Sequence, residues 1–67
     1  MLTVTINGEG RQFDEPLRFQ QLLDRLGLTG KRIAIERNGE IVPRSEFTAR
    51  SIADGDKLEI VVAVGGG

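Results

Sequence analysis

Apolar and polar positions alternate from the first residues of the chain. Leu2, Val4 and Ile6 are separated by Thr3 and Thr5. A period of two with β-branched residues predicts a half-buried strand. Asn7-Gly8 follows, a hairpin signal because both residues tolerate positive φ. Gly10 adds slack, so a loop longer than two residues is expected, with Arg11-Gln12-Phe13-Asp14 returning as a second strand and Phe13 turned inward. Pro16 ends that strand by removing a ladder donor. The period then changes. Phe19, Leu22, Leu23 and Leu26 fall at i, i+3, i+4 and i+7, the apolar stripe of a helix, with Gln20, Gln21, Asp24 and Arg25 on its wet side. Gly27 is placed to end the helix in the left-handed conformation. Arg18 is a poor residue for its start.

Alternation resumes with Ile33 and Ile35 between Arg32 and Glu36, a third strand. Asn38-Gly39 is a second hairpin signal, and Glu40-Ile41-Val42 returns as far as Pro43. Residues 44–53 show no clean period, so Phe47 and Ile52 read as anchors pinning a loop or a single helical turn to the core. Asp54-Gly55-Asp56 is a turn. Leu58, Ile60, Val62 and Val64 then alternate with Glu59, Val61 and Ala63 as a last strand, and Gly65-Gly66-Gly67 follows. The order β-β-α-β-β-β predicts an α+β fold, with the helix on one face of a mixed β-sheet and the first and last strands central. One domain, 1–64, with a flexible tail, 65–67, accounts for all 67 residues.

Composition narrows the chemistry. There is no Cys, His, Trp or Tyr. Thiol and imidazole nucleophiles, a His general base and Cys/His metal sites are therefore excluded, as is a disulfide framework. No side-chain set suits an independent enzyme. Nine basic against ten acidic residues, with 4% aromatics, disfavour nucleic-acid binding. No apolar run is long enough to span a membrane. Met1–Thr5 lacks the basic start and long apolar stretch of a signal peptide, so a cytoplasmic protein is expected.

Two features are candidate sites. In the first, Gly65, Gly66 and Gly67 have no side chains to obstruct passage through a narrow channel, and three extended residues reach about 10 Å. In the second, if Leu58, Ile60, Val62 and Val64 face the helix, Val61 and Ala63 face away beside Glu59 and form a candidate docking patch. Asp54 and Asp56 read as turn residues rather than a cation site. Arg32, Arg37, Arg44 and Arg50 read as a solvated face offset by Glu36, Glu40 and Glu46. No glycine run follows a strand and opens a helix, so there is no phosphate-binding loop.

Several stretches together resemble the ThiS family, small ubiquitin-like sulfur carriers of thiamin biosynthesis. They are Met1–Asn7, Ile35-Glu36-Arg37-Asn38-Gly39-Glu40-Ile41-Val42-Pro43-Arg44, Asp54-Gly55-Asp56 and Val64-Gly65-Gly66-Gly67. The resemblance covers essentially the whole length and implies the β-grasp (ubiquitin-like) topology. It also implies that the α-carboxylate of Gly67 is adenylated by a ubiquitin-activating-like enzyme of the ThiF type using ATP-Mg. Sulfur supplied by a donor such as a cysteine desulfurase then leaves Gly67 as a thiocarboxylate, which a ThiG-type thiazole synthase consumes. No cofactor is bound by the carrier itself, and a carrier that visits two enzymes is expected to be a free monomer. Gly65 makes three glycines where the family motif has two. The tail chemistry fits other sulfur acceptors equally, in molybdopterin synthesis or tRNA thiolation, and it fits a ubiquitin-like modifier whose Gly67 becomes an amide on a target lysine.

Overall fold

The computed structural model describes residues 1–63; the expected end of the last strand at Val64 and the tail Gly65–Gly67 lie outside them. The elements are β1 (Leu2–Ile6), β2 (Glu9–Phe13), α1 (Phe19–Arg25), β3 (Ile33–Arg37), β4 (Glu40–Val42), a 3-10 turn (Arg44–Glu46) and β5 (Lys57–Val62). The strands form one sheet in the order β2-β1-β5-β3-β4. β1 runs parallel to β5, and the other neighbours are antiparallel. β5 therefore lies at the centre of the sheet with β1 beside it. Residues 14–56 separate β2 from β5, and they supply the crossover helix that a parallel pairing needs.

Both hairpins are two-residue turns. Asn7 and Gly8 have φ of 50° and 86°, and Asn38 and Gly39 have 50° and 88°. Two consecutive positive φ values turn the chain with the same twist as the strands it joins, so pairing resumes at once. This corrects the longer first loop expected from Gly10. β2 begins at Glu9 opposite Ile6, and Gly10 sits within the ladder opposite Thr5. Its lack of a side chain is not used to turn the chain.

The core lies between α1 and the inner sheet face. Phe19, Leu22 and Leu23 of the helix join Leu2, Val4, Ile6, Ile35, Val42, Leu58 and Ile60 of the strands in one buried cluster. Phe13, Leu26, Leu28 and Ile33 pack at its margin. Phe47 and Ile52 are buried as expected, and the Phe19 and Phe47 rings lie 6.4 Å apart between centroids.

The weak helix start at Arg18 is closed from elsewhere. Arg50 C=O accepts from Phe19 N–H at 3.3 Å, and Phe47 C=O accepts from Gln20 N–H at 2.9 Å. Arg18's own N–H donates to Gln21 Oε1 at 2.8 Å. The turn after β4 thus satisfies helix N–H groups that a Ser or Thr cap would otherwise serve. At the other end Gly27 takes φ of 74°, the expected left-handed stop.

Candidate functional site

β5 divides its side chains between two environments. Leu58 and Ile60 are buried beneath the helix, and Val62 is half-buried. Lys57, Glu59 and Val61 point to the outer face, where Val61 is 62% exposed. Ala63, just past the strand, is also exposed. The patch read from alternation is therefore on the surface.

Strand pairing extends that patch. Val61 lies opposite Ala34 of β3, and Ile41 of β4 lies opposite Glu36. Partners in an antiparallel pair share a face, so Ala34 and Ile41 join Val61. Ile41 is 73% exposed. Its exposure was not legible because Ile41 and Val42 are adjacent apolar residues, and a three-residue strand has too little alternation to say which one faces the core. In the structure Val42 is the buried one. Beside the patch, Glu36 and Glu59 stand directly opposite each other. Two like charges in that position repel. A partner placing a basic group between them would relieve the repulsion while covering the apolar residues.

Side chains from both hairpin turns hold the strand in place. Asn7 Oδ1 accepts from Ile60 N–H at 2.7 Å, and Asn7 Nδ2 donates to Ile60 C=O at 3.1 Å. Asn38 Oδ1 accepts from Lys57 N–H at 2.9 Å, while Lys57 C=O accepts from Asn38 N–H at 2.8 Å. Each asparagine thus supplies a turn and also bonds β5 through its side chain, and that of Asn7 takes both backbone groups of Ile60 as a peptide group would.

The Asp54-Gly55-Asp56 turn anchors the start of β5. Asp54 Oδ1 accepts from Thr3 N–H, and Thr3 C=O accepts from Gly55 N–H, both at 2.7 Å. Asp56 is 5% exposed. Its carboxylate accepts from Ala53 N–H at 2.9 Å and from Asn38 Nδ2 at 3.3 Å, and it pairs with Arg37 Nε at 3.1 Å. Both aspartates are occupied by donors of the chain, which agrees with their reading as turn residues. Of the four arginines read as a solvated face, Arg37 pairs with Asp56 and Arg50 with Glu46. The Asp56 partner was not foreseen, because nothing local distinguishes a buried turn aspartate from an exposed one. Gly65, Gly66 and Gly67 lie outside the described residues.

The model of the ThiS family matches residues 4–67. The chain belongs to the ThiS family. The match runs through the sheet, the helix and the three glycines. A crystal structure of a thiamine biosynthesis protein, ThiS, from Geobacter metallireducens superposes with a TM-score of 0.82 at 33% identity, covering 98% of this chain and 100% of that one. The fold is accordingly the ubiquitin-like β-grasp of ThiS proteins. The uncharacterized protein ycf40 of Porphyra purpurea is 44% identical over 98% of this chain and 93% of its own length. A thiazole synthase of Paramagnetospirillum magneticum is 46% identical over 98% of this chain. This chain spans only 20% of that protein, so there a ThiS-like segment is joined to a much longer polypeptide. Among the described residues no helix is long and apolar enough to cross a membrane.

Proposed function

We propose that the chain is the sulfur carrier for the thiazole of thiamin and that Gly67 bears the sulfur. The observation that carries this reading is the family match, which extends through residue 67 and so spans the three glycines. A carboxylate is a poor electrophile. In the proposed sequence a ThiF-type enzyme, using ATP-Mg, joins the Gly67 carboxylate to the α-phosphate, and pyrophosphate leaves. A persulfide formed from cysteine on a desulfurase attacks the acyl carbon with its outer sulfur, and AMP leaves. A thiol then reduces the resulting acyl disulfide, itself ending in a disulfide, and Gly67 is left as a thiocarboxylate. A thiazole synthase then takes the sulfur. The thiazole synthase joined to a ThiS-like segment in Paramagnetospirillum magneticum supports that acceptor over others.

In this reading the carrier is a co-substrate rather than an enzyme. It binds no cofactor of its own and works in the cytoplasm as a monomer between two partners. The outer face of Val61, Ala63, Ala34 and Ile41, with the Glu36–Glu59 pair beside it, is the proposed docking surface for the activating enzyme. Gly66 and Gly67 have no Cβ to collide with the ATP site or with the incoming sulfur.

Intact mass spectrometry of the protein from its native cell tests the reading. A fraction carrying sulfur in place of one C-terminal oxygen is the expected result. Gly67 found only as an amide on lysines of other proteins would assign the chain to the protein modifiers instead.

A further inference from the structure

We propose that the open edge of β5 at Val62, with the groove beside it, accepts an extended main-chain segment of the thiazole synthase as an added strand. The proposal rests on the carrier reading above and concerns how the acceptor grips the domain. Its basis is the alternation of the ladder. Arg32 C=O accepts from Ala63 N–H at 2.9 Å, which makes that pair a hydrogen-bonded one. Hydrogen-bonded and non-bonded pairs alternate in an antiparallel ladder. In the register of β3 with β5, Glu59 and Val61 therefore direct their backbone groups to β3, and Leu58, Ile60 and Val62 direct theirs to the opposite edge.

That edge is filled only part of the way. Leu58 C=O accepts from Asn7 N–H at 2.9 Å. The Asn7 side chain takes both backbone groups of Ile60. β1 has ended at Ile6, and among the described residues nothing pairs with the N–H or C=O of Val62 along this edge. Asn7 is in effect the last rung, and Val62 offers the next donor and acceptor.

A groove of about 250 Å³ adjoins the same edge, with Ile6, Leu26, Leu28 and Val62 among its walls and the exposed Glu9 and Arg11 beside them. An unpaired backbone edge next to an apolar recess is the chemistry of strand addition: main-chain bonds give affinity, and the recess takes a side chain of the incoming strand. Gly67 lies five residues beyond Val62, a span of at most about 18 Å. An enzyme with its reacting groups at Gly67 therefore has its body close to this edge. A synthase gripping the edge would hold the carrier while leaving the outer face of Val61 uncovered.

The test is amide hydrogen exchange, read by NMR on the full chain, alone and saturated with the thiazole synthase encoded in the same genome. The Val62 amide is expected to exchange freely in the free chain and to slow at least about tenfold in the complex, by the worth of a new hydrogen bond. Val61 and Ala63, already bonded to β3, should change less. Val62→Pro removes the open-edge donor without breaking a bond to β3 and should weaken binding about tenfold. Val62→Ala keeps the donor and should weaken it less. A complex in which Val62 exchange is unchanged overturns the proposal, even if Val62→Pro does not fold. Equal losses in the two folded variants also overturn it. Protection that grows with the chain's own concentration would assign the edge to a second copy instead. A wild-type chain that carries sulfur on Gly67 in the cell yet does not bind the synthase sinks this docking and leaves the carrier reading standing. A chain without sulfur on Gly67 sinks the carrier reading, whatever the exchange shows.

Discussion

Asn7 and Asn38 each perform two functions, and substitution can separate them. Asn7→Gly keeps a residue that readily adopts the φ of 50° but removes both bonds to Ile60. The hairpin should persist and stability should fall by about 1–2 kcal/mol, the usual cost of lost bonds to half-buried backbone groups. Urea unfolding followed by circular dichroism measures it, and a loss as large as that of a core truncation would mean the turn itself had failed.

Asp24 offers a second test at this scale. Its carboxylate is held below the ordinary aspartate range, first by the Thr29 hydroxyl and then by the Gln20 amide; these donate at 2.6 and 3.1 Å. A lowered folded-state value means that the contribution is present above the unfolded aspartate value and is lost as pH falls through the folded one. Thr29→Val should raise the Asp24 titration midpoint seen by carboxyl NMR, while an unmoved midpoint would assign the effect elsewhere. Asp24 is fully exposed, so little of this should reach global stability.

At the scale of elements, α1 has seven residues, too few to be stable in isolation. It depends on Phe19, Leu22 and Leu23 against the sheet and on the carbonyls of Phe47 and Arg50 at its start. Phe19→Ala, at a side chain with no exposure, should cost about 3–5 kcal/mol. Gly27→Ala meets open space but forces a side chain onto φ of 74°, for about 1 kcal/mol. Calorimetric melting of the two variants should rank them in that order. The helix stripe and its Gly27 stop were legible in the sequence because both are local. The support at Arg18 was not, because it comes from residues about thirty positions away, brought near by packing of the 44–52 segment. Gly10 misled for the converse reason: glycine permits a turn, but the positive φ values were already supplied at Asn7 and Gly8.

For the whole molecule, the sheet order puts at its centre the strand that precedes the glycines. β5 is bordered by β1 and β3 and tied by side chains from both hairpins. In the proposed reaction sequence two enzymes must find the terminus, and a firmly held β5 would serve that. Deleting Gly67 should abolish sulfur transfer while leaving the melting temperature nearly unchanged; retained transfer, measured by mass spectrometry of the product, would refute the carrier reading. Val61→Asp, at an exposed position, should weaken association with the activating enzyme by more than it lowers stability. Calorimetric titration with that enzyme measures the first and thermal melting the second, and unchanged affinity would remove the outer face from the docking surface.

The sequence by itself determined the elements, the inward and outward sides of β5, the family resemblance and the glycines that carry the proposed chemistry. Each of these follows from local periodicity, backbone preference or a motif read along the chain. Tertiary structure alone decided that Ile41 and Ala34 extend the Val61 patch, that Asp56 is buried against Arg37, and that Asn7 closes one rung of β5 and leaves Val62 open. These depend on the register in which β5 meets β1 and β3, which brings together residues far apart in the chain; the Asn-Gly signals specify only that β1 lies beside β2 and β3 beside β4.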